Sequence, residues 1–182
     1  MMRVVAGELG GRRIEAPAGR GTRPTSERAR EALFSILGNI SGSEVLDLFA
    51  GSGALGIEAL SRGAAHATFV ESAPAAAATI ERNIAKLALG DRARLFRVDV
   101  ESALRAAAVG ADKYDLVFID PPYAGASALG ALLDETLPPL LRPTARVVSE
   151  SDRREPLALS LPLTRERRYG DTIIRIHRSS DT

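Results

Sequence analysis

No cysteine occurs in the 182 residues, which excludes disulfides, iron–sulfur clusters, thiolate zinc sites and any mechanism built on a thiol nucleophile. Two isolated histidines, His66 and His177, leave little for a metal centre, and none is expected. No run of eighteen apolar residues and no charged-then-apolar leader is present, so the expectation is a soluble, cytoplasmic protein without membrane span or secretory signal. Chemistry is left to carboxylates, the backbone and a bound cofactor. The length suits one compact domain with a short appendage, large enough to bury a core unaided.

Net charge is small, +1, but it is unevenly placed. Residues 1–30 carry seven arginines against three acids, residues 31–141 eight bases against fourteen acids, and residues 142–182 nine bases against six acids. Both ends are therefore basic and the middle acidic. Of the 24 bases 22 are arginine, whose planar fork suits phosphate and stacks on bases, so the termini read as a modest footprint for a polyanion. Biased composition explains the same arginines without a partner.

Short apolar or β-branched runs recur at 44–49, 67–71, 93–98, 115–120, 144–150, about 160–167 and 172–178, with helical stretches between the first five. That alternation predicts a mostly parallel sheet covered on both faces. The last two runs are separated only by Arg168-Tyr169-Gly170-Asp171, too short for a crossover, so they form an antiparallel hairpin with one strand reversed. Before the sheet, Arg3–Ala6 and Arg12–Glu15 flank Gly7, Gly10 and Gly11 as a small hairpin. A glycine- and proline-punctuated loop from Pro17 to Pro24 follows, then Thr25 or Ser26 caps a helix with Ala29, Leu33, Ile36 and Leu37 on its apolar side. The expected division is an arm and helix over 1–40 and a main domain over 41–182.

Asp47-Leu48-Phe49-Ala50-Gly51-Ser52-Gly53-Ala54-Leu55-Gly56 places a G-x-G-x-x-G between the first strand and a helix. Glycines there let the backbone turn tightly and approach a ligand at the helix N-terminus. Glu71 ends the second strand twenty residues after Gly51, where a carboxylate can accept both hydroxyls of a ribose. That geometry serves dinucleotides and S-adenosylmethionine alike, so a nicotinamide dehydrogenase stays open at this point, as does a plain tight turn. Asp47 favours the second ligand, because a carboxylate just before the loop repels a pyrophosphate and attracts an ammonium. Asp99, after the third strand, can accept from an adenine amine while the Val100 N–H donates to the ring; it reads equally well as a solvated strand-end acid.

The fourth strand ends in Asp120-Pro121-Pro122-Tyr123. Two prolines remove two N–H donors, so the corner offers acceptors to a donor-rich, amine-bearing substrate. The Asp120 side chain and the Pro121 carbonyl can each take one N–H of an exocyclic amine, and Tyr123 can stack on its ring. Holding both hydrogens turns the nitrogen lone pair toward a methyl sulfonium, with Asp120 offsetting the positive charge that develops.

With Arg3-Val4-Val5-Ala6-Gly7, Gly11-Arg12-Arg13, Thr22-Arg23-Pro24-Thr25 and Arg28-Ala29-Arg30-Glu31-Ala32-Leu33-Phe34 added to these motifs, the chain resembles the bacterial 16S ribosomal RNA guanine-N2 methyltransferases of the RsmD type, within the class I S-adenosylmethionine-dependent methyltransferases. The resemblance runs nearly end to end. It implies a Rossmann-like α/β fold with a seven-stranded mostly parallel sheet, action as a monomer, and methylation of one guanine amine in small-subunit ribosomal RNA. Carried over, Asp47, Ala50, Gly51, Gly53, Glu71, Asp99 and Val100 hold the cofactor, and Asp120, Pro121 and Tyr123 the base. Arg3, Arg12, Arg13, Arg20, Arg23, Arg28 and Arg30 of the arm would neutralise phosphates around the target. Arg165, Arg167 and Arg168 form a weaker second patch. Three rivals stay open: an adenine-amine methyltransferase, since the same acceptor pair suits either amine; a non-catalytic RNA-binding assembly factor; and the dehydrogenase, disfavoured by Asp47. Glutamine-amide methylation is disfavoured because the matching motif there usually begins with asparagine.

Overall fold

The structure, a computed structural model, describes residues 2–17, 26–106, 113–121 and 126–179. A two-stranded hairpin, β1 (Met2–Arg3) and β2 (Arg13–Ile14), precedes helix α1 (Glu27–Leu37). The main sheet is built from β3 (Glu44–Leu48), β4 (His66–Val70), β5 (Ala93–Phe96), β6 (Tyr114–Ile119), β7 (Leu141–Asp152), β8 (Leu163–Tyr169) and β9 (Thr172–Arg178). Helices α2 (Ala54–Ser61), α3 (Pro74–Lys86), α4 (Val100–Arg105) and α5 (Ala126–Thr136) make the crossovers. Strand order is β5-β4-β3-β6-β7-β9-β8, and β9 alone runs against the others. The expected seven strands and single reversal are present, and a two-residue turn at Gly170 (φ 63°) and Asp171 closes the terminal hairpin.

Strands β3 and β6 sit mid-sheet and are apolar on both faces because helices cover both. Alternate residues divide between two cores. Val45, Phe69, Leu116, Phe118 and Val148 face α1, α2 and α3 together with Met2, Val4 and Ile14 of the arm. Leu46, Leu48, Val117, Ile119 and Val147 face α4 and α5. Each fully buried Val, Leu or Phe contributes on the order of 1.5–3 kcal/mol, so the two layers carry the stability of the sheet.

The arm is anchored from outside its own hairpin. Glu58 of α2 is fully buried and accepts the N–H groups of Val5 (2.7 Å) and Ala6 (3.0 Å) and the Nε–H of Arg62 (2.7 Å). Val5 and Ala6 therefore give their N–H groups to a helix instead of a ladder, which is why the strand pairing expected over 3–6 and 12–15 shrinks to Met2–Arg3 against Arg13–Ile14. Gly7 (φ 84°) completes the docking, since a Cβ there would stand 1.9 Å from the Ser61 carbonyl oxygen.

Two further expectations change. The third predicted strand stops at Phe96 instead of residue 98, and the fifth extends over Leu141–Asp152, its start paired with β6 at Tyr114↔Leu141 and its end with β9 from Arg146 to Asp152. Ser26 caps α1, its side chain accepting the Ala29 N–H at 3.2 Å. Among the described residues no helix is long and apolar enough to cross a membrane.

Candidate active site

Every sequence-predicted cofactor and amine residue among those described stands at the C-terminal edge of the parallel strands, where ligands bind in open α/β sheets. Asp47 in β3 is 2% exposed and accepts the Gly56 N–H at 2.9 Å. Gly53 begins α2 with φ 78° and offers no capping side chain, so the Asp47 carboxylate does that work from the strand. Gly56 makes the approach possible: a Cβ there would meet the Phe69 ring at 2.3 Å and Asp47 Oδ2 at 3.2 Å. Gly51 (φ 58°) turns the loop and leaves open space, the nearest atom to an added Cβ being 4.0 Å away.

Glu71 ties the end of β4 to this loop. Its Oε2 accepts the Gly51 N–H and its Oε1 the Ala73 N–H, both at 2.8 Å. Each oxygen keeps a second lone pair for a ligand hydroxyl. Asn83 of α3 fixes the loop from the other side, its amide donating to the carbonyls of Ser52 and Glu15, each at 3.0 Å, and its oxygen accepting the Glu15 N–H at 2.8 Å. One buried amide thus joins the cofactor loop to the arm. Asp99 is exposed and caps α4, accepting from the Ser102 N–H (2.8 Å) and hydroxyl (2.7 Å), which hold its carboxyl below the usual range. Val100 opens that helix and is buried.

Pleat and register collect the acids. Asp47 pairs with Phe69 and Phe118, Ile119 with Ser149, and Val148 faces the same core as Phe118. Stepping two residues along each strand brings Glu71, Asp120 and Glu150 to the face that Asp47 occupies, on the consecutive strands β4, β3, β6 and β7. Among the described residues no lysine or arginine pairs with Asp47 or Asp120. Burial raises the Asp47 carboxyl to about 8, with the Gly56 N–H opposing and Glu71 reinforcing. Burial also pushes Asp120 well above the carboxylate range, helped by the negative charges of Glu150 and Asp47. Such a crest of acids favours a cationic ligand over an anionic one.

Residues 2–178 match the model of the family described as Conserved hypothetical protein 95. The chain belongs to this family. It is 40% identical to "Putative rRNA methyltransferase YlbH" of Bacillus subtilis (strain 168), covering 97% of this chain and 98% of the relative. It is 31% identical to "Ribosomal RNA small subunit methyltransferase D" of Haemophilus influenzae (strain ATCC 51907 / DSM 11121 / KW20 / Rd), over 98% and 94% of the two chains. Among solved structures, "Putative methyltransferase yhhF from Escherichia coli" superposes with a TM-score of 0.84 at 33% identity, over 100% of this chain and 99% of that one. Membership agrees with the resemblance read from the arm and the two motifs, and the sheet is the Rossmann-like methyltransferase fold.

Within this family fold the arm's arginines divide. Arg3, Arg12, Arg13 and Arg28 are exposed. Arg30 corrects the expectation of a phosphate contact: it is fully buried, its Nη2 donates to the Arg3 carbonyl at 2.6 Å, and its Nε and Nη1 have no hydrogen-bond partner among the described residues. Burial lowers its pKa, opposed by Glu58 and Glu27. It fastens α1 to the hairpin and reaches no solvent. Tyr123, Arg20 and Arg23 lie outside the described residues; Pro121 is half-buried beside Asp120. Glu58, Asn83 and Glu150 were absent from the sequence reading.

Proposed function

We propose that the protein transfers a methyl group from S-adenosylmethionine to the exocyclic N2 amine of a guanine in 16S ribosomal RNA, within the small subunit or an assembly intermediate. The observation that carries the reading is the placement of Asp120 one strand from the buried Asp47 and on its face, followed directly by Pro121, which has no N–H to donate. The cofactor fits the residues present. Asp47 is a buried carboxylate without a basic partner among the described residues and suits a ligand ammonium; Glu71 has lone pairs for ribose hydroxyls; the open space at Gly51 admits a ligand against the loop. Asp99 and the Val100 N–H would bind the adenine, with Ala50 and Gly53 shaping the loop.

When bound, S-adenosylmethionine supplies a methyl carbon on a positively charged sulfur. Asp120 and the Pro121 carbonyl hold the two amine hydrogens, which draws the nitrogen toward a tetrahedral geometry and takes its lone pair out of conjugation with the ring. Tyr123, outside the described residues, would stack on the base as the resemblance implies. Asp120, as a carboxylate beside the sulfonium, offsets charge developing on nitrogen and can take the proton that the amine must lose. The exposed arm arginines supply affinity for the RNA backbone.

The test is to incubate the protein and methyl-labelled cofactor with naked small-subunit RNA and with subunits from a strain lacking the gene, then map the label by nuclease digestion. Label on a guanine amine, lost in Asp120→Ala while cofactor binding survives, is the expected result. Label on adenine, or an Asp120→Ala protein of undiminished turnover, refutes the assignment.

A further inference from the structure

We propose that Glu150 is the specificity-determining residue of this site, accepting the N1–H of guanine beside the amine held at Asp120; the inference rests on the functional reading above. Three observations carry it. The parallel register ends at Ile119↔Ser149, and the next residue along each chain is Asp120 and Glu150, on neighbouring strands whose usual spacing is about 4.8 Å. Pleat parity puts its side chain on the face shared with Asp47 and Phe118, because Val148, two residues earlier, packs in that core. It is half-buried near the C-terminal end of β7, beyond the last paired residue of β6, and its charge is felt at Asp120.

Donor and acceptor counting then separates the two candidate bases. Guanine presents three adjacent donors, the two amine hydrogens and N1–H. The corner presents three acceptors, the Asp120 carboxylate, the Pro121 carbonyl and Glu150, and the two prolines contribute no N–H. Adenine offers only the two amine hydrogens, and the ring nitrogen beside its amine carries a lone pair. Seated in the same grip, that lone pair would face the Glu150 carboxylate without a proton between them. An unmet acceptor pair in a confined polar site is what gives such sites their largest discrimination. Asp120 and Pro121 by themselves accept either amine, so the choice of base falls to the neighbouring strand.

The probe is small-subunit RNA carrying, at the guanine mapped as methyl acceptor, either guanine or 2-aminopurine. The analogue keeps the C2 amine but has a lone pair at N1. The wild-type protein should prefer guanine by kcat/KM on the order of 10- to 100-fold, the value of one hydrogen bond to a charged group. Glu150→Gln, whose amide can accept from guanine or donate to the analogue, should bring the ratio to near one, and Glu150→Ala should do the same at lower overall rate. A merely structural role would lower both rates together and leave the ratio intact. An unchanged ratio in both variants overturns the inference while leaving guanine methylation standing; no labelled guanine in the wild-type reaction sinks the functional reading and the inference with it.

Discussion

Asp47 sets up a proton-linked binding event that can be counted. Its carboxyl, 2% exposed and raised to about 8, is roughly nine-tenths protonated at pH 7. A ligand ammonium beside it favours the carboxylate, so binding should expel about 0.9 of a proton at pH 7. S-adenosylhomocysteine is the cleaner titrant because it keeps the ammonium and lacks the sulfonium charge that would act on Asp120. Calorimetry in two buffers of different ionisation enthalpy gives the number directly. Asp47→Asn retains an oxygen for the Gly56 N–H, so α2 stays in place, but it should abolish most of the release and weaken binding on the order of 10- to 100-fold. Release should fade above about pH 9, where the free carboxyl is already ionised.

The same group makes a stability prediction with a definite sign. A folded-state pKa of about 8 against an ordinary value of 3.8 means that the folded chain keeps a proton which the unfolded chain has lost. The corresponding stability is fully present below about pH 4 and falls as pH rises through 8, at up to ~1.4 kcal/mol per pH unit. Asp47→Asn lacks that fall, so its stability relative to wild type should climb steadily between pH 5 and 8 in urea denaturation. Equal proton release in the two proteins, or parallel stability profiles, would refute the placement of a neutral, buried Asp47 at the ligand.

Two other perturbations address the arm. Glu58→Ala removes the acceptor of the Val5, Ala6 and Arg62 donors and should cost about 3–5 kcal/mol in urea unfolding, with amide exchange at Val5 and Ala6 accelerating most; native-like protection at both amides would sink the anchoring role. Arg3→Ala, Arg12→Ala, Arg13→Ala and Arg28→Ala should each flatten the salt dependence of RNA binding by roughly 0.7–0.9 in the log–log slope, whereas Arg30→Ala, buried in wild type, should lower stability and leave that slope unchanged. A slope change from Arg30→Ala equal to that from Arg12→Ala would overturn the division.

Much of the fold was legible because its signals are local. Valine, isoleucine and leucine runs buried on both faces mark β3, β6 and β7 without knowledge of their neighbours, and a separation of only four residues allows no connection but a hairpin between the last two runs. The loop at Gly51–Gly56 and the Asp120-Pro121 corner are contiguous strings, so their place at the C-terminal edge of the sheet could be read one residue after another. Arg30 was misplaced by charge alone, although the helical period held the correction: Arg30, Leu33, Phe34 and Leu37 fall at i, i+3, i+4 and i+7, one buried stripe. Glu58 carried a similar signal, lying between Ile57, Ala59 and Leu60 in a helix apolar on every side.

Asn83 and Glu150 belong to a different class. The partners of Asn83 are 31 and 68 residues away in the chain, and no spacing rule links an amide in α3 to a carbonyl in the first glycine loop. Glu150 sits in an unremarkable Ser-Glu-Ser, and its meaning comes from the β6–β7 register, which places Ser149 opposite Ile119. A slip of one residue in that pairing would put Ser149 opposite Asp120, on the wrong face of the sheet, and leave the amine-binding corner with a single carboxylate. If Glu150 reads the base as proposed, base choice follows from strand register, and a motif read along one strand reports the amine without reporting the ring that bears it.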